Sequence, residues 1–290
     1  YLHKHIKRIV KETGTKAVAI SFYDYETDKA FSFHGETWFH AASTIKVAIL
    51  MGVFALADEG NFDLDSPVHV RNRFFSLANG EPFSVSQSRD GCPSLYSSLG
   101  KTLPVSELAY HMIVTSSNLA TNLLIDIAGV EALQEKLARL GVQGVELRRG
   151  VEDDLAWEQG INNRITANGL LQLFRLLYSS QGISQELSGK MLDILFDQKF
   201  KQGIPVGIPT DLRGDTRFAH KTGEISTVAH DAGLVYLPGR KPYALAILTE
   251  RVPGESKSRR AIQRLSRLVY KSFVRTDTGE RAVDPSISRR

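Results

Sequence analysis

The chain has 290 residues, 42% of them hydrophobic and 23% charged, with a formal net charge of +4. That balance is ordinary for a globular protein of one large domain or two interleaved lobes, and no apolar run approaches the roughly 18 residues that span a bilayer. Cys92 is the only cysteine, which excludes an internal disulfide and a cysteine-based metal site. The chain opens at Tyr1 rather than Met, as a trimmed chain would, so the lack of a secretory signal says little about compartment.

In chain order, Leu2, Ile6, Ile9 and Val10 predict an amphipathic helix stopped by Gly14. Two β-rich runs, Ala17–Tyr23 and Ala30–Phe33, flank the polar Glu26–Lys29 and read as a hairpin. From Ser43 the pattern turns helical and closes at Gly60. Residues 71–100 are rich in Ser, Gly, Asn and Pro without periodicity and read as a long surface loop. Helices follow over Val105–Ser117, Leu119–Ala128, Val130–Leu140, Ala167–Tyr178 and Ser184–Phe196.

Strands return at Phe218–Thr222, Ala229–Leu237 and Tyr243–Glu250, the last two joined by Pro238-Gly239-Arg240-Lys241. A basic helix is expected from about Glu255 to Phe273. Its Lys257, Arg259, Arg260, Arg264, Arg267 and Lys271 alternate with Ile262, Leu265, Leu268 and Val269, as a solvated face rather than a nucleic-acid or membrane patch. The expected fold is α+β: an antiparallel sheet built from both termini and flanked by helices, with an inserted all-helical lobe. The α/β lobe takes residues 1–42 and 210–275, the helical lobe 43–209, and 276–290 is a polar tail.

Three short polar signals stand out: Ser43-Thr44-Ile45-Lys46, Ser116-Ser117-Asn118 and Lys221-Thr222-Gly223. A serine hydroxyl is a poor nucleophile until a base takes its proton. Lys46, one turn after Ser43, shares its helix face and can lose its charge readily if that face is buried. Ser43 at a helix start also meets unpaired N–H groups suited to an oxyanion. The plainer reading of the pair is a helix cap followed by an ordinary lysine.

In a cleft, Ser116 can pass a proton to a leaving group and the Asn118 amide can hold a substrate carbonyl; otherwise the trio is a helix junction. Asn122 either pins a neighbouring loop or lies on the surface. Gly223 lets a substrate approach the strand edge, Thr222 can hydrogen-bond an anion, and Lys221 supplies positive charge; otherwise the trio is a turn.

Together these motifs resemble the serine penicillin-recognising superfamily, and most closely its class A β-lactamase branch, whose motif set is Ser-x-x-Lys, Ser-Asp-Asn and Lys-Thr-Gly. Trp38–Ala42 leading into Ser43, and Leu119-Ala120-Thr121-Asn122-Leu123-Leu124 after the second motif, are similar too. The resemblance implies acyl transfer on Ser43, most simply of a β-lactam, without metal or organic cofactor. Lys46, either alone or with Glu152 acting through water, serves as base, Ser116 and Lys221 aid the departing nitrogen, and the N–H groups of Ser43 and Glu224 form the oxyanion hole. Arg149-Gly150-Val151-Glu152-Asp153-Asp154-Leu155 resembles the family's loop, making Glu152 the carboxylate that directs water onto the ester. The other reading of residues 152–154 is a solvated acidic run or a helix start. Further implied are a small-molecule partner, a monomer, and a periplasmic or secreted location in a bacterium.

Several positions depart from the family pattern. Ala156 stands where an Asn helps to hold the hydrolytic water, and Asn162 or Asn163 either compensates or forms a turn. Ser117 replaces an Asp that is largely structural. His230, beside Asp231, falls near the expected carboxylate-gripping Arg; Arg251, Arg259 and Arg260 are other candidates. Glu224 is expected to disfavour some anionic ligands, and the 71–100 segment to reshape one wall of the cleft. Two rival functions stay open: a serine peptidase or esterase acting on peptidoglycan peptides with weak lactamase activity, and a non-catalytic cell-wall-peptide binder. Apart from His3-Lys4-His5, read as exposed on the first helix, the eight histidines show no metal-ligand spacing. Cys92, with no histidine near it in sequence, reads as structural.

Overall fold

The computed structural model describes residues 1–251 and 257–275, so the polar tail and the first residues of the expected basic helix lie outside the described residues. A five-stranded antiparallel sheet joins the two ends of the chain. Strands β1 (Thr15–Asp24) and β2 (Lys29–Phe33) form the expected hairpin, while β3 (Arg217–Glu224), β4 (Val228–Tyr236) and β5 (Tyr243–Arg251) arrive late, in the order β3-β4-β5-β1-β2. The seam between early and late sequence is the β1–β5 pair, with Ile20 opposite Ile247 and Phe22 opposite Leu245. Alternation then decides the layers.

Among the described residues, the α-helices of five residues or more are α1 (Leu2–Thr13), α2 (Ile45–Asp58), α3 (Val105–Val114), α4 (Asn118–Ala128), α5 (Val130–Arg139), α6 (Asp154–Glu158), α7 (Ala167–Ser179), α8 (Gln185–Phe196) and α9 (Ser258–Val269). Val18, Ile20, Phe22, Leu245 and Ile247 face α1 and α9, burying Ile6, Ile9, Ile262 and Leu265. Gly14 ends α1 in the left-handed conformation, φ +62°, as expected of a C-terminal glycine. The opposite sheet face, with Ala19, Ala232, Ala246 and Leu248, packs on the large cluster built around α2, α4 and α7. Each large apolar side chain buried there contributes about 2 kcal/mol before entropy is counted. The α+β architecture expected from the sequence is the one found.

The middle helix α2 explains the depth of the site. Every residue from Ile45 to Leu56 is buried, as suits a helix apolar on all sides. Lys46 lies inside that run and is wholly buried with it. A 3-10 turn, Ala42–Thr44, precedes α2 and carries Ser43 at the end of the sheet. Neither this turn nor α2 receives a side-chain cap, so the Ser43 hydroxyl is not used as one.

Residues 71–100 are not the surface loop that their composition suggests. Phe74–Phe75 pairs with Pro82–Phe83, two 3-10 turns follow, and Phe74, Val85, Cys92 and Leu95 are buried in the main core. Apolar anchors spaced without a period hold the segment down, which is why pattern reading missed it.

Candidate active site

The cleft lies where the end of β3, the start of α2, the α3–α4 junction and the Arg149–Asn163 loop meet. It encloses about 670 Å³, and Ser43, Ser116, Asn118, Glu152, Thr222 and Glu224 all line it. Ala42, Ser116 and Glu152 have φ of +46°, +60° and +57°, three of the six non-glycine positive-φ residues among those described. Such backbones cost about 1–3 kcal/mol each and persist only where surrounding contacts enforce them.

Lys46 Nζ is ringed by Ser116 O at 2.7 Å, Asn118 Oδ1 at 2.8 Å and Ser116 Oγ at 3.1 Å. Burial, and then the charge of Lys221, push its pKa well below the ordinary lysine value, with Asp90 and Glu152 opposing. A neutral amine has two N–H bonds and a lone pair, so one of the three contacts must reverse. Only the Ser116 hydroxyl can donate.

Lys221 Nζ donates to Ser116 Oγ at 3.2 Å and to Thr222 O at 2.8 Å. Burial lowers its pKa to about 7, against the pull of Asp231. Ser116 Oγ therefore joins two buried amines whose pKa values are both lowered, that of Lys221 to about 7. Gly223 brings β3 against the nucleophile's turn: a Cβ there would stand 2.9 Å from Thr44 N and 3.0 Å from Ser43 N. This leaves room for a carbonyl oxygen between the strand edge and the N–H groups at the start of α2.

The loop is held by its own polar groups. Asn163 accepts from Arg148 N at 2.7 Å and Arg149 N at 3.1 Å, and Arg149 Nε donates to Ile161 O at 2.7 Å. Asn122 Nδ2 donates to Val151 O at 2.9 Å and its Oδ1 accepts from Val151 N at 2.8 Å, so Asn122 pins the loop. The acidic run is not uniformly solvated. Asp153 is buried, caps α6 through Ala156 N and accepts from Ser76 Oγ, whereas Asp154 is exposed. Glu152 points to the cleft, where its Oε1 accepts from Asn118 Nδ2 at 2.7 Å.

Two expectations about charge change. His230 lines the cleft, but its Nε2 donates to His40 O at 2.9 Å and its Nδ1 accepts from Thr249 N at 3.2 Å. Burial lowers its pKa to about 4, so it stays neutral and a carboxylate grip is not what its geometry supports. Glu224 does not present a bare negative charge: it accepts from Arg251 Nη1 at 2.9 Å and Arg259 Nε at 2.8 Å. Among the described residues, two cations stand against this one carboxylate.

Sequence reading missed Ser86, Arg89, Asp90, Trp157 and Phe200. Asp90 Oδ2 accepts from Leu119 N at 2.8 Å, Asn118 N at 2.9 Å and Ser117 Oγ at 3.2 Å. It supplies from another segment the carboxylate that Ser117 lacks. The missing acid in the second motif was the signal, but it did not say which acid answers it. Trp157, 43% exposed, and Phe200, 37% exposed, also line the cleft. Trp157 lies edge-on to His40, whose burial-lowered pKa of about 4 keeps it neutral. His40 Nδ1 accepts from Ala42 N, leaving a buried Nε2 with no protein partner among the described residues. Cys92 does meet a histidine, His111, at 3.5 Å, but is buried away from the cleft lining.

Several known proteins resemble this chain. A β-lactamase of Bacteroides uniformis is 26% identical over 269 residues, covering 84% of this chain and 83% of that protein. The ROB-1 β-lactamase of Haemophilus influenzae is 26% identical over 246 residues, 83% of this chain and 74% of that protein. Among solved structures, a class A β-lactamase from Mycobacterium abscessus superposes with a TM-score of 0.81 at 20% identity, covering 94% of this chain and 99% of that one. The model of the beta-lactamase enzyme family matches residues 1–273. With that match over nearly its whole length, the chain belongs to the beta-lactamase enzyme family.

Proposed function

We propose that this protein hydrolyses β-lactams through an acyl-enzyme on Ser43. The observation that carries this reading is the Ser116 hydroxyl, 3.1 Å from Lys46 Nζ and 3.2 Å from Lys221 Nζ in a cleft shared with Ser43 and Glu152. Neutral Lys46 takes the Ser43 proton as Oγ attacks the lactam carbonyl, and the N–H groups of Ser43 and Glu224 receive the oxyanion. Ser116 hands a proton to the departing nitrogen and is recharged from the two amines. Glu152 then draws a proton from water as it attacks the ester, and as the Ser43–acyl bond breaks that proton returns to Ser43 Oγ, freeing the ring-opened acid.

Asn118 keeps one amide N–H for the substrate carbonyl, the other being committed to Glu152. The substrate carboxylate docks at the Thr222 hydroxyl, toward Arg251 and Arg259. No step calls for a metal or an organic cofactor. A monomer is part of the same proposal, as the family resemblance implies. A two-lobe division at residues 43 and 210 puts the cleft at the seam. A periplasmic or secreted location belongs to the same proposal, supported by family membership.

A second reading is favoured by one residue. Ala156 is fully buried, and its methyl offers no hydrogen bond to a hydrolytic water. A peptidase or esterase acting on peptidoglycan peptides would tolerate that, with β-lactams as slow substrates. Intact-protein mass spectrometry with a penicillin and a chromogenic cephalosporin separates the two. A Ser43 adduct that decays as product accumulates, and that persists in Glu152→Gln, supports the lactamase. A persistent adduct on the wild type supports the peptidase. Failure to form any adduct would overturn both.

A further inference from the structure

The turn from Ser86 to Asp90 touches two functional elements at once. Asp90 fixes the start of α4, and the other side of the turn reaches the loop carboxylate. Ser86 N donates to Glu152 Oε2 at 3.0 Å, and Arg89 Nη2 lies 3.1 Å from the same oxygen. With Asn118 on Oε1, each carboxylate oxygen accepts one hydrogen bond, Arg89 adds an ion pair to Oε2, and lone-pair positions are left for a water. Glu152 itself is 10% exposed and sits on a left-handed backbone, while the Arg89 side chain is 56% exposed at the mouth of the cleft.

We infer that Arg89 is the positioning residue for deacylation, aiming the Glu152 carboxylate at the hydrolytic water in place of the amide that Ala156 lacks. The inference rests on the acyl-enzyme reading above. Arg89 acts through Glu152 rather than on the reacting atoms. Its guanidinium forms an ion pair with Oε2 and so draws that oxygen toward the Ser86–Asp90 turn. Ser86 N and Asn118 Nδ2 hold one oxygen each as neutral donors, so what Arg89 adds is a positive charge at Oε2 that neither of them supplies. Arg89 also reaches toward Asp154 Oδ2 at 3.6 Å, which ties the turn to the first residue of α6. The 71–100 segment is thereby a working wall of the site.

The test follows acylation and product release separately, by stopped flow and time-resolved mass spectrometry with a chromogenic cephalosporin. It compares the wild type with Arg89→Met, Arg89→Lys, Glu152→Gln and the Arg89→Met/Glu152→Gln double variant. Arg89→Met is expected to acylate like the wild type, deacylate about tenfold more slowly and accumulate the Ser43 adduct. Arg89→Lys is expected to recover much of that loss, because a cation with N–H donors is retained. In the Glu152→Gln background, Arg89→Met is expected to add nothing. Deacylation in Arg89→Met at the wild-type rate or faster would overturn the assignment, as would equal slowing of both steps. If the wild type forms no adduct, the acyl-enzyme reading falls and the assignment with it; wild-type turnover beside an unaffected Arg89→Met removes Arg89 alone.

Discussion

Lys221 carries the most direct link between burial and measurable behaviour. In an unfolded chain its amine titrates near 10.4, whereas burial in the fold brings it to about 7. Between those values the unfolded state binds the extra proton, so this group makes the fold more stable as pH rises from about 7 to about 10. Below about 7 the buried amine is charged and the full desolvation penalty stands. The difference in unfolding free energy between wild type and Lys221→Met, measured by chemical denaturation, is therefore expected to move in favour of the wild type across that window, by up to about 1.4 kcal/mol per pH unit. A difference that stays flat with pH would remove this account of Lys221. The Lys46 pKa is lowered in the same direction, by burial first and then by the charge of Lys221.

At the scale of elements, the start of α4 is held by a carboxylate from elsewhere in the chain. Asp90 and Ser117 are 27 residues apart, yet Asp90 satisfies two backbone N–H groups of α4 that its first turn leaves unpaired. Ser117 Oγ in turn accepts from Ala120 N at 3.1 Å, an ordinary cap. Asp90→Ala is expected to cost roughly 3 kcal/mol in chemical denaturation, since buried donors lose a charged acceptor. Adding Ser117→Asp to that variant is expected to restore about half of the loss by placing a carboxylate back among the same donors. A double variant less stable than Asp90→Ala would show that the two positions do not substitute for one another. The motif serine and asparagine were legible as a motif; their support was not, because a turn without periodicity gives no sign of where it docks.

For the molecule as a whole, the sheet order places β1 between β5 and β2. Early and late sequence therefore complete one another, and the large core beneath the sheet includes residues of both strands and of the helices between them. Deleting residues 1–24 removes α1 and an interior strand, exposing the edge of β5 and one face of the sheet. The shortened chain is expected to show no cooperative thermal transition by circular dichroism. A sharp melt in that chain would mean that the remaining strands and helices fold without β1. For the intact protein a single transition is expected, since the two packed faces share the same strands.

The periodicities of Leu2–Val10, Ala17–Tyr23 and Tyr243–Glu250, together with the order of three polar motifs, determined the element types, the sheet from both termini and the residues gathered at the cleft. Those properties are local or depend on residue type, so they survive in one dimension. Only the tertiary structure decided that Lys46 and Lys221 are buried on either side of one hydroxyl. It alone made His230 neutral, and balanced Glu224 with Arg251 and Arg259. It also decided that an aperiodic stretch brings Arg89 and Asp90 to opposite sides of one turn. Charge state and hydrogen-bond partnership depend on what surrounds a group in space, and residues distant in the chain supply those surroundings.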